Sequence, residues 1–128
     1  MTPVAALRPS ADETAPVRVL IVDARAYAEA ISLLLRQQDG LEVVGIASDG
    51  AEAVEQALAL RPDVVLIDVR MPGLDGIAAT HRIRRRLPAT KVLVMTEHVE
   101  AACGAGADAC IEKFGGAGEL LTAIEQLV

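Results

Sequence analysis

Five short apolar runs, each followed by apolar residues at helical spacing, constrain this fold more than any other feature of the sequence. The run from Val64 to Ile67 has no polar residue in it, which is typical of a parallel strand covered on both faces. Repeated alternation of strand and helix predicts an α/β domain with helices on both sides of one parallel sheet. The predicted strands are 17–22, 41–47, 63–68, 91–95 and 109–112.

Signals that start and stop helices agree with this alternation. Ser48, Asp49 and Gly50 offer cap chemistry for the second helix, and Pro62 ends it because the residue before a proline is biased away from helical geometry. A third helix is predicted from Gly76 to Leu87. Its predicted inward residues are Ile77, Thr80, Ile83 and Leu87.

Length and composition narrow the function classes. The 128 residues suit one domain, and 52% hydrophobic with 23% charged residues excludes a disordered chain. A net charge of −6 argues against non-specific binding to nucleic acid or an anionic membrane. Two cysteines cannot form a disulfide framework, so a reduced, cytoplasmic location is expected. Residues 1–16 are predicted to be a flexible tail, and no apolar run approaches a membrane span.

Two further patterns argue against other kinds of site. Tyr27 and Phe114 are the only aromatic residues, which disfavours sites that depend on ring stacking. The basic run His81 to Arg86 favours a solvated outer helix face, with charge suited to a helix C-terminus, over a DNA contact.

Polar side chains end four of the predicted strands. Asp23, Asp68 and Thr96 close the first, third and fourth strands, and Lys113 closes the fifth. In open α/β sheets the carboxyl ends of the strands line the ligand crevice. Two carboxylates can share Mg²⁺, a carboxylate can act as a nucleophile, and a lysine and a hydroxyl can hold phosphoryl oxygens. This set indicates metal-assisted phosphoryl transfer onto an aspartate.

The segments that carry these residues resemble one family. They are Val19 to Asp23, Arg61 to Gly76, Val94 to Thr96, Ala105 to Asp108, and Lys113, and together they are similar to a response-regulator receiver domain of two-component systems. The resemblance covers residues 17–128 and implies a flavodoxin-like (βα)5 fold with strand order 2-1-3-4-5. Glu42 to Gly45 is similar to receivers that precede helix-turn-helix DNA-binding domains, which implies a link to transcription regulation.

The resemblance also implies a role for each strand-end residue. Asp68 would accept a phosphoryl group from a histidine kinase. Asp23 and Asp68, with the backbone carbonyl of Arg70, would hold Mg²⁺. Thr96 would bond a phosphoryl oxygen and Lys113 would pair with it. Beyond self-phosphorylation at Asp68 no enzyme activity is implied. The implied partners are a histidine kinase or another signalling protein, and a second copy of the chain in a homodimer, with no direct nucleic-acid contact.

Three departures from the family pattern suggest an atypical member. Asp23 is followed by Ala24 and Arg25 rather than a second acid, which predicts weak or lost Mg²⁺ binding, with Arg25 either worsening the loss or replacing the metal's charge. Only 17 positions separate Thr96 from Lys113, which predicts a shortened fourth helix. Cys110 stands where the family often carries an aromatic switch residue.

Two functional hypotheses therefore stay open from the sequence. The first is a phosphoacceptor that alters its partner contacts, favoured by Asp68, Thr96 and Lys113. The second is a phosphorylation-independent interaction module, favoured by Ala24, Cys110 and the short fourth helix. An aspartate-based phosphatase is disfavoured because the sequence from Asp68 to Arg70 lacks a second acid for proton transfer.

Overall fold

The computed structural model of the chain describes residues 15–69, 76–97 and 106–128. Five strands and four helices lie in these ranges. The strands are β1 (Val17–Val22), β2 (Leu41–Ala47), β3 (Val64–Asp68), β4 (Lys91–Thr96) and β5 (Ala109–Glu112). The helices are α1 (Arg25–Arg36), α2 (Gly50–Leu60), α3 (Gly76–Arg86) and α4 (Ala117–Leu127).

All five strands pair in parallel, in the order β2-β1-β3-β4-β5, which confirms the predicted flavodoxin-like sheet. Val22 lies opposite Ile67, Asp68 opposite Met95, and Thr96 opposite Glu112. This register brings the carboxyl ends of four neighbouring strands to the same edge of the sheet. The backbones of the four predicted strand-end residues therefore lie at this one edge of the sheet.

Alternate residues of the central strands enter two separate cores. Val19 and Ile21 of β1 face a core that includes residues of α1 and α4, whereas Leu20 and Val22 face one that includes residues of α2 and α3. Every residue of β3 is buried, as expected for a strand covered on both sides. The doubly wound prediction is thus confirmed, because successive side chains of a strand point to opposite faces.

The start of α2 agrees with the sequence prediction, whereas one predicted inward residue of α3 does not. Asp49 caps α2, and its carboxylate accepts a hydrogen bond of 2.8 Å from the Glu52 N–H. The prediction that Ile77 faces inward was wrong, because its side chain is 36% exposed. Ala79, rather than Ile77, joins Thr80 and Ile83 in the buried stripe, since Ile77 lies at the edge of that stripe on the helix surface.

Some predictions fall on residues outside the described ranges. These are most of the predicted flexible tail (1–14), the Arg70 carbonyl, and the shortened fourth helix that the sequence predicts between β4 and β5. The segment of this helix lies almost wholly within 98–105. Within the ranges that are described, no helix is long and apolar enough to cross a membrane.

Candidate functional site

Four strand-end residues of the sequence analysis lie at the same sheet edge. Asp23 follows β1 and is fully buried, Asp68 ends β3, and Thr96 ends β4, both nearly buried. Lys113 follows β5, and its backbone N–H donates to the Thr96 carbonyl at 2.8 Å. This last bond extends the β4–β5 ladder by one residue and fixes where the lysine leaves the sheet.

The Lys113 ammonium joins the two aspartates. Its Nζ donates to Asp23 Oδ1 at 2.9 Å and to Asp68 Oδ2 at 3.0 Å. The lysine side chain is only 13% exposed, so both ion pairs are shielded from water. Charge-assisted hydrogen bonds of this length are among the stronger polar contacts in proteins. The sheet thus assembles a buried triad of two carboxylates and one ammonium.

Asp23 has one satisfied oxygen and one unsatisfied oxygen. Oδ1 accepts from the Ala24 N–H at 2.6 Å as well as from Lys113. Oδ2 is buried and has no hydrogen-bond partner among the described residues. Burial raises the pKa of Asp23 above its ordinary value of 3.8; the charge of Asp68 adds to this, and the hydrogen bonds from Lys113 and Ala24 oppose it.

The lysine responds to the same contacts in the opposite sense. Burial by itself would lower the pKa of Lys113, but the hydrogen bonds and charges of Asp23 and Asp68 outweigh burial and raise the pKa above 10.5. Lys113 is therefore an ammonium at neutral pH. It supplies a fixed positive charge at the carboxyl edge of the sheet.

The donor set partly suits a divalent cation. Asp23 Oδ2 is a buried oxygen with no partner in the described ranges, and carboxylate oxygens are the ligands that Mg²⁺ prefers. Within those same ranges no three acidic, histidine or cysteine side chains are grouped to hold a metal. Mg²⁺ would thus have two carboxylates, Asp23 and Asp68. In each of them, one oxygen already binds Lys113.

The Arg25 guanidinium does not replace a metal ion beside the two aspartates. Its side chain is 68% exposed, and its guanidinium lies 3.7 Å from the Glu29 carboxylate, one turn further along α1. An exposed pair of this kind contributes little to stability. The positive charge beside the two aspartates comes from Lys113 instead.

Two residues beside the triad were missed in the sequence analysis. The Tyr27 ring centroid lies 4.7 Å from Lys113 Nζ, and the Phe114 centroid lies 5.5 Å from it. The two rings meet edge to face with centroids 4.9 Å apart. A signal was present, since the only two aromatic residues of the chain closely follow two of the strand-end residues.

The remaining singled-out residues lie apart from the triad. Cys110 is a half-buried cysteine in β5, opposite Val94. Arg82, Arg85 and Arg86 are exposed on α3, as predicted for a solvated face. Arg84 instead pairs with Asp108 at 3.0 Å.

The chain matches a known protein family. The model of the response regulator receiver domain matches residues 19–125. The chain belongs to this family. Response regulator GacA of Pseudomonas viridiflava is 40% identical over 114 residues, which cover 84% of this chain and 53% of that protein. The matched segment spans between 20% and 56% of the length of eight curated relatives.

Solved receiver structures share the fold. The response regulator domain of Thermotoga maritima CheB is 33% identical, with a TM-score of 0.79 over 88% of this chain and 96% of that one. The receiver domain of the sensor histidine kinase PA1611 from Pseudomonas aeruginosa PAO1 is 27% identical, with a TM-score of 0.79 over 88% of this chain and 98% of that one. Its structure has a magnesium ion coordinated in the active site cleft.

Proposed function

We propose that this receiver accepts a phosphoryl group on Asp68 from a histidine kinase and thereby changes its contacts with a signalling partner. The observation that carries the proposal is the buried triad, in which Lys113 Nζ lies 2.9 Å from Asp23 and 3.0 Å from Asp68. The proposed setting is a cytoplasmic two-component system linked to transcription regulation. The domain's own chemistry would be limited to its self-phosphorylation.

The chemistry needs one nucleophile and fixed positive charge. An Asp68 carboxylate oxygen attacks the phosphorus of the donor, a P–O bond to Asp68 forms, and the bond to the donor's leaving group breaks. Lys113 then pairs with an oxygen of the new phosphoryl group, and the Thr96 hydroxyl bonds another. Positive charge already in place lowers the cost of the charge that gathers on the transferring group.

Intact mass after incubation with a small phosphodonor and Mg²⁺ tests the proposal. We expect the mass of one phosphoryl group to be added to the wild type and none to Asp68→Asn, because the amide cannot act as the nucleophile. Asp39→Asn, at an exposed turn residue, is the matched control and should be phosphorylated as the wild type is. A gain that survives in Asp68→Asn, or no gain in any variant, contradicts phosphoacceptance at Asp68.

Weak Mg²⁺ binding is part of the same proposal. Asp23 and Asp68, with the Arg70 carbonyl, would hold the ion through oxygen atoms, the ligands that Mg²⁺ prefers. Ala24 supplies no carboxylate where the family has a second acid, and Lys113 competes for the two that are present. When bound, Mg²⁺ would neutralise charge on the phosphoryl oxygens.

Restoring the absent acid should strengthen metal binding. We expect Ala24→Asp to raise Mg²⁺ affinity by at least about thirtyfold, because one more carboxylate near a dication contributes about 2 kcal/mol or more. Ala24→Asn is the control, since it has the same shape without the charge at this N-cap position of α1. Calorimetric titration with MgCl₂ measures both variants, and equal affinities would show that charge at residue 24 does not limit binding.

A specific observation favours the second candidate function, a phosphorylation-independent interaction module. Lys113 already binds one oxygen of each carboxylate, and Ala24 stands where the family has a second acid, so the three side chains hold one another in place without phosphate or metal. The mass measurement separates the two functions, because this module would gain no phosphoryl group. Self-association remains a prediction, and sedimentation before and after phosphorylation measures it.

A further inference from the structure

Both aromatic rings of this chain lie on the lysine of the triad. The sequence has one tyrosine, one phenylalanine and no tryptophan. Tyr27, in the first turn of α1, and Phe114, directly after Lys113, come from elements at opposite ends of the chain. Their centroids nevertheless lie 4.7 Å and 5.5 Å from the same Nζ atom. Tyr27 also packs against the core that includes residues of α1 and α4, whereas Phe114 is largely exposed.

The backbone after Lys113 is held in a form that brings the Phe114 ring to this place. Phe114 has φ of 69°, a left-handed conformation that costs a bulky residue free energy. Its N–H donates to the Tyr27 hydroxyl oxygen at 3.3 Å. The Phe114 side chain is 66% exposed, so burial of its own apolar surface does not explain the position. The turn that carries it is closed by a hydrogen bond from the Gly115 N–H to the Glu112 carbonyl at 3.2 Å, and in this turn the Phe114 ring contacts Tyr27 and Lys113.

We propose that Tyr27 and Phe114 form an aromatic clamp of positioning residues that holds the Lys113 ammonium against Asp23 and Asp68. Ring faces attract a cation within about 6 Å of the centroid, and the attraction grows when water is excluded. Asp23 and Asp68 accept hydrogen bonds from the ammonium, which has three N–H donors. The aromatic rings contact the same ammonium in addition to the two carboxylates. The clamp thus restricts a long flexible side chain to the one location that the proposed phosphoryl transfer needs.

Lysine resonances test the clamp without a phosphodonor. Lys91 and Lys113 are the only lysines, so a protein labelled with ¹³C-lysine shows two sets of Hε signals. We expect ring currents to displace the Lys113 signals upfield from those of Lys91. Tyr27→Leu should return them toward the Lys91 position, whereas Tyr27→Phe, which keeps the ring, should preserve the displacement. Leu33→Ala, at an exposed residue of the same helix, is the control.

A kinetic measurement tests whether the clamp speeds phosphorylation, an effect that rests on the proposed function. We expect phosphorylation by acetyl phosphate to slow by about threefold to thirtyfold in Tyr27→Leu and in Phe114→Leu, the range that a cation–π contact supplies. Tyr27→Phe should recover most of the rate. A rate that rises in either leucine variant would show that the rings obstruct the donor, and would overturn the proposal.

The two measurements fail separately. Lys113 signals that do not move when either ring is removed overturn the clamp, whatever the kinetics show. If the wild type takes up no phosphoryl group at all, phosphoacceptance fails, and the resonances alone still decide whether the rings position the lysine. Circular dichroism of each variant confirms that it is folded before either measurement is interpreted.

Discussion

Lys113→Met is expected to lower the free energy of unfolding by about 3 kcal/mol at pH 7. Removing one partner of a buried ion pair usually costs about 3–5 kcal/mol, because the other charge stays buried and uncompensated. Here two carboxylates, Asp23 and Asp68, lose the ammonium that both contact. The low end of the range applies because burial already raises the pKa of Asp23, so that this acid can bind a proton in the variant.

Chemical denaturation of three variants measures this effect. Lys91→Met, which removes the only other lysine, is the matched control and should lose less than about 1 kcal/mol, as substitutions away from buried ion pairs usually do. Asp23→Asn combined with Lys113→Met should recover part of the loss, since it removes one of the two buried carboxylates that lose the ammonium. If Lys113→Met and Lys91→Met cost the same, the triad does not stabilise the domain.

The pH dependence of this difference follows from the raised pKa of Lys113. A group whose pKa is higher in the folded than in the unfolded state stabilises the fold fully below the unfolded value. That contribution is lost as the pH rises through the folded value, which lies above 10.5. On the alkaline side, the wild type should therefore keep its advantage over Lys113→Met until the solution is strongly alkaline.

Gly76→Ala is expected to destabilise the domain by about 2 kcal/mol or more and to slow phosphorylation. A Cβ at residue 76 would overlap the Asp68 carbonyl oxygen and lie 2.6 Å from the Val69 Cα. Both neighbours are backbone atoms, so no side chain can move aside, and overpacking of this kind costs about 1–3 kcal/mol. The necessary shift would move the backbone that carries the proposed phosphoacceptor.

Gly118→Ala is the control for Gly76→Ala. Gly118 also lies in the first turn of a helix, and a Cβ there would meet no atom of the described chain within 4 Å. Because alanine is the better helix former, this variant should gain up to about 1 kcal/mol. Thermal unfolding and the phosphodonor reaction are measured on both variants. The midpoint of thermal unfolding should fall in Gly76→Ala and rise in Gly118→Ala, and phosphorylation should slow in Gly76→Ala. A harmless Gly76→Ala would contradict the close approach to Asp68.

The pattern of the sequence was enough to predict the strands and helices of the fold and its covered central strand. The uninterrupted run Val64 to Ile67 predicts a covered central strand, and β3 is buried at every residue. The inward position of Ile77 was wrong because helical spacing identifies a stripe but not its exact edge. Strand order came from the family resemblance, since a local pattern cannot say which strands become neighbours.

The candidate site was only partly predictable. Asp23, Asp68, Thr96 and Lys113 were identifiable because each stands where an apolar run ends, a property of the linear sequence. The direction of Arg25 was not identifiable, because an arginine at the start of a helix can reach either the site or the next turn. In the structure it lies beside Glu29 and is largely exposed.

The sequence by itself determined the alternating strands and helices and which polar residues stand at the strand ends, because periodicity and adjacency are local properties of a chain. Only the tertiary structure decided that Lys113 bridges Asp23 and Asp68, that Tyr27 and Phe114 meet at its ammonium, and that Gly76 approaches the Asp68 backbone. Those contacts join elements far apart in sequence. Sheet register and helix packing set their distances, and neither is encoded at any single position.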